Sequence, residues 1–136
     1  MRTFAAATLL ACVLFPGVVQ GQQRLVIETR ADADEESYAY RPETVTAKAG
    51  DILVFRGAEG ENHAVSFERA ISPAARQALN SAMPNRVGDL AGPLVPGGRE
   101  YRITVPANLP AGRYRFFCLP HRAYDEAGWL VIEQRR

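Results

Sequence analysis

From Tyr114 to Ile132 the chain reads Y-R-F-F-C-L-P-H-R-A-Y-D-E-A-G-W-L-V-I. Its first part alternates, so Tyr114, Phe116 and Cys118 share one strand face and the Cys118 sulfur points inward with the aromatics. Arg113 to Phe117 is predicted as that strand and Trp129 to Glu133 as the last one, with Gly128 bending the chain into it. In the loop between them Pro120 stiffens the backbone just ahead of His121. A thiolate and an imidazole separated by two residues can close on one metal ion.

Working outward, His63 opens the run H-A-V-S-F, predicted as a strand with Ala64 and Ser66 opposite Val65 and Phe67. If that strand lies beside the first, the chain supplies a His, a Cys and a second His, the trigonal donor set of blue-copper sites. His63 and His121 are the only histidines in the chain.

Apolar strands separated by Gly/Pro turns account for most of the remainder. Strands are predicted at Leu25 to Thr29, Tyr38 to Arg41, Val45 to Ala47, Ile52 to Phe55 and Arg99 to Val105. Ala31 to Ser37 is polar and acidic and reads as a solvated surface loop. Ser72 as N-cap and Pro73 at the first helical position start one short, weakly amphipathic helix, expected to lie outside the sheets and to end at Met83-Pro84. The fold class is all-β, a Greek-key β-sandwich with one short helix.

The length of 136 residues, 47% of them hydrophobic, provides for one domain with one core. A net charge of +1 gives no basis for binding nucleic acid. Arg2, the apolar stretch Phe4 to Phe15 and the small-residue site V-Q-G (Val19 to Gly21) read as a secretory signal over residues 1–21, leaving a domain over 22–136. The apolar stretch is short and broken by Pro16 and Gly17, so no stable membrane insertion is expected. The expected location is periplasmic or secreted. Cleavage also removes Cys12, leaving Cys118 as the sole thiol of an exported chain, where it is a liability unless buried or bound to metal.

The run C-L-P-H-R, the preceding A-G-R-Y-R-F-F, the following G-W-L-V-I and the early Y-R-P-E-T-V-T-A-K-A-G-D-I-L-V-F (Tyr40 to Phe55) resemble the plastocyanin-like members of the cupredoxin family. The resemblance covers nearly the whole mature chain. It implies a cupredoxin-like sandwich holding one copper ion, cycling between Cu(I) and Cu(II), with His63, Cys118 and His121 at ligand positions. It also implies that His121 breaks the surface through an apolar patch of Leu119, Pro120, Ala123 and Tyr124, where a redox protein partner docks on a monomer, and that His63 is the more buried ligand.

Three positions depart from the family pattern. The family's axial methionine follows the second histidine by five residues, and that position is Glu126. A carboxylate is hard and anionic, so it favours Cu(II) and lowers the potential if it contacts the metal. Three placements are open to Glu126: coordination to the metal, a turn to solvent, or a rebuilt loop; Tyr124 and Asp125 are weaker oxygen alternatives. Asn62 precedes His63 and Ala64 follows it, whereas the family usually has Asn after its first His, tying the ligand loops together. Phe117 stands where photosynthetic plastocyanins expose a Tyr, which gives no support to a photosynthetic role.

The leading function is an exported mononuclear copper protein that carries single electrons and is not an enzyme. The alternatives are a non-redox copper-handling or zinc-binding cupredoxin, since Cys, two His and Glu also make an ordinary zinc set, and a small copper enzyme with an open position.

Overall fold

Side-chain alternation decides which residues meet between two sheets. The computed structural model describes residues 21–32, 34 and 37–133, so the predicted leader up to residue 20, with Cys12, lies outside the described residues. The strands are β1 (Arg24–Asp32), β2 (Ser37–Arg41), β3 (Thr44–Ala47), β4 (Ile52–Arg56), β5 (Val65–Phe67), β6 (Glu100–Thr104), β7 (Gly112–Cys118) and β8 (Ala127–Ile132), with one helix, α1 (Pro73–Ala82). One sheet runs β2-β1-β4-β6 and the other β3-β8-β7-β5. The β1–β4 and β3–β8 pairs are parallel and the others antiparallel. This is the all-β sandwich with one short helix that the sequence predicts.

Ile27, Leu53, Phe55 and Ile103 face inward from the first sheet, and Val45, Phe67, Phe116 and Leu130 from the second. Phe116, fully buried, is the hub: Tyr40, Phe55 and Phe67 meet it edge-on at centroid distances of 5.1, 5.2 and 6.3 Å. Burial of such a ring stabilises the fold by about 1.5–3 kcal/mol. Gly128 is not a bend. It lies within β8, opposite Phe116, where an added Cβ would sit 2.6 Å from the Phe116 ring and 2.6 Å from the Glu43 carbonyl.

Two further sequence expectations change. Ala31 and Asp32 belong to β1 and Ser37 to β2, because the ladder continues through Ala31↔Tyr38 and Asp32↔Ser37. The side chains of Ala31, Asp32 and Ser37 are exposed and carry no alternation signal. Helix α1 starts as read, with Ser72 Oγ accepting from Ala75 N at 3.2 Å. Its inner stripe of Ala75, Ala78 and Leu79 joins the core, followed by Met83 at its C-cap. The two alanines make that stripe faint in sequence, yet they let the helix approach closely.

Candidate metal centre

Backbone pairing brings three loops to one end of the sandwich. Cys118 closes β7 opposite Val65, and its N–H donates to the Glu126 carbonyl at 2.9 Å, drawing the loop after it into a closed turn. The Leu119 N–H donates to the Ala64 carbonyl at 3.0 Å. The tie between ligand loops is therefore a main-chain bond that needs no asparagine after His63. His63 is not part of β5; it forms a single bridge with Val95, with paired bonds of 2.9 and 2.7 Å.

His63, Cys118, His121 and Glu126 converge, each offering one donor atom, and these atoms lie within 4.8 Å of one another. Cys118 Sγ is 3.8 Å from His63 Nδ1 and 3.5 Å from His121 Nδ1, and His121 Nδ1 is 2.7 Å from Glu126 Oε2. Glu126 and Cys118 are completely buried, His63 is 5% exposed and His121 7%. Burial pushes the Cys118 thiol up to about 12. Burial also lowers the His63 pKa, against the opposing pull of Glu126.

Two polar atoms here, His63 Nε2 and Glu126 Oε1, have no hydrogen-bond partner. A buried carboxylate with one idle oxygen, beside a thiol and two imidazoles, is costly unless a cation joins the four. The donor set therefore fits a metal ion, with sulfur and imidazole suiting copper or zinc. Gly57 makes room for the His63 ring: a Cβ there would lie 2.2 Å from His63 Cδ2.

The surroundings of His121 correct the sequence reading. Tyr38 from β2 stacks on its ring at 4.0 Å and 18°, and Glu61 Oε2 stands 3.7 Å from its Nε2. His121 is thus covered, nearly as buried as His63, and the exposed groups over it are Leu119 (50%) and Tyr124 (45%). Asp125 takes the left-handed conformation (φ 54°), an accessible region for Asp, and its carboxylate turns outward to Arg115 at 2.6 Å. Tyr38, Glu61 and Gly57 were missed in sequence. The Y-A-Y alternation of Tyr38 and Tyr40 is the one signal that marks this face of β2.

Residues 27–133 match the model of the copper binding proteins, plastocyanin/azurin family. The chain belongs to this family. It is 26% identical over 106 residues to plastocyanin of Nostoc punctiforme, covering 78% of this chain and 73% of that one. With the chloroplastic plastocyanin of Pisum sativum it shares 28% over 114 residues, spanning 84% of this chain and 63% of the pea protein. The fold matches that of oxidised plastocyanin from Dryopteris crassirhizoma, with a TM-score of 0.60 at 18% identity, over 79% of this chain and 99% of that one. This cupredoxin is a copper-binding, electron-transport protein with a cluster positioned for a single ion. Among the described residues no helix is long and apolar enough to cross a membrane.

Proposed function

We propose that His63, Cys118, His121 and Glu126 bind one copper ion, and that the protein, exported to the periplasm or beyond by the leader over residues 1–21, carries single electrons between redox proteins. The supporting observation is the convergence of four buried donors, one of them a carboxylate with an idle oxygen, on a chain of the copper-binding family. Bound copper supplies a one-electron couple. The chain does the rest. Cys118 and the two histidines would hold the ion through sulfur and Nδ1, and the burial of all three keeps water from it. His121 leads outward to Tyr38, and Tyr38 to Tyr124, with ring centroids at 4.0 and 5.0 Å. Leu119 and Tyr124 form the apolar surface on which a redox partner docks.

The test is reconstitution of the purified protein with Cu(II). An intense visible thiolate-to-copper absorption and a reversible midpoint potential are expected; a colourless product sinks the proposal. Glu126 motivates one rival reading, non-redox metal handling, because a hard anionic donor favours Cu(II). A site that binds copper but cannot be cycled reversibly would establish the rival.

A further inference from the structure

Four buried side-chain polar atoms lack a hydrogen-bond partner among the described residues: Tyr40 Oη, His63 Nε2, Ser66 Oγ and Glu126 Oε1. His63 and Glu126 belong to the metal centre, and Tyr40 reaches it from the core. Its ring is 2% exposed and fixed edge-on against Phe116 (5.1 Å, 70°) and Phe55 (6.1 Å, 73°). Burial raises its pKa well above the ordinary value, and Cys118 and Glu126 lie near enough to the hydroxyl to raise it further. Tyr40 also lines a small cavity with His63 and Thr29, whose Oγ1 is 3.5 Å from His63 Nδ1. That cavity measures about 10 Å³, at the bottom of what a single water fills.

The packing around Phe116 needs only an aromatic ring at position 40. A phenylalanine would fill the same space without burying an idle hydroxyl, so the oxygen calls for a reason outside the fold. A thiol is a weak acceptor and leaves the hydroxyl idle; a metal-bound thiolate is a strong one.

We infer that the Tyr40 hydroxyl is a built-in hydrogen-bond donor to the metal-bound Cys118 sulfur, and that its role is to tune the metal centre rather than to hold the fold. The inference rests on the copper reading above. Tyr40 is a positioning residue, since it acts through Cys118. Donation to the sulfur draws electron density away from the ion and favours the reduced form, because hydrogen bonding around the cysteine sulfur sets the potential of such sites.

The test is Tyr40→Phe, compared with the wild type in metal-free and copper-loaded forms. Metal-free, the variant should melt at the same temperature or higher, since it loses only an unpartnered group. Copper-loaded, it should still bind one ion. Its sulfur-to-copper band should move to lower energy, and its equilibrium should shift towards Cu(II) on the order of tenfold, in the range of effects of outer-shell hydrogen bonds. Stabilisation by Zn(II), read as the rise in melting temperature, should also be smaller in the variant. A wild-type band and potential that the substitution leaves untouched overturn this inference alone, as does a metal-free variant that melts several degrees lower. Absence of the band from the wild type overturns the copper reading itself.

Discussion

Glu100 and Glu126 are both carboxylates placed among nitrogen-bearing side chains, and they differ in what they lack. Glu100, on β6, is met by Arg56 at 2.7 Å, Arg102 at 2.5 Å and Arg24 at 3.7 Å, all in contact with solvent. Hydrogen bonds from Arg56 and Arg102 hold its pKa down at about 2. Glu126 is fully buried, has one oxygen 2.7 Å from His121 and leaves the other idle. The surface cluster is complete in itself. The buried one is electrostatically complete only with a cation, and that contrast separates an arrangement that decorates the fold from one built for a ligand.

The contrast breaks most sharply at the sulfur. Cys118→Ser should abolish the intense visible absorption of the Cu(II) form completely, because a serine hydroxyl cannot supply the thiolate donor. Absorption spectroscopy on the reconstituted variant checks this, and a retained band would mean that another group carries the colour. Metal removal is the next largest effect. At a free metal concentration 1,000 times Kd the bound ion should add about 4 kcal/mol to the stability of the wild type. Calorimetry with and without copper reads it as a large rise in melting temperature. Glu100→Gln should leave that rise unchanged, since its cluster has no part in the site.

Glu126→Met sharpens the comparison further. Replacing a hard anion by a neutral thioether should raise the midpoint potential by about 59 mV or more, a tenfold change in a one-electron equilibrium. Protein-film voltammetry provides the value, and an unchanged or lower potential would place the carboxylate away from the metal.

The smallest expected effect belongs to Glu100. Its folded pKa of about 2 lies below the ordinary 4.5, so its contribution to stability is fully present above pH 4.5 and is lost as the pH falls through about 2. Acid denaturation of the wild type and Glu100→Gln, both metal-free, should differ in slope only in that window, and modestly, since the cluster is solvent-exposed.

Much of this was legible in the sequence, for reasons that can be named. The alternation of Tyr114, Phe116 and Cys118 is a one-strand property, as are the spacing of Cys118 to His121 and the Ser72-Pro73 helix start, so local sequence carries them. The folding back of His63 became readable only through the family resemblance. What stayed hidden depends on partners far apart in the chain. Tyr38 covers His121 because the β1–β2 hairpin lies over the loop after β7, and nothing near His121 records that. Gly57 is needed by the His63 ring, and Gly128 by the Phe116 ring, and neither demand leaves a mark beyond the glycine itself. Glu61 beside His121 is likewise a contact between loops 60 residues apart in number.

Copper-edge X-ray absorption of the Cu(II)-loaded protein tests the central claim most directly, because it counts the atoms bonded to the ion. The account predicts one sulfur and two imidazole nitrogens in the first coordination sphere, with the sulfur missing in Cys118→Ser. A wild-type spectrum with oxygen and nitrogen scatterers alone would contradict it.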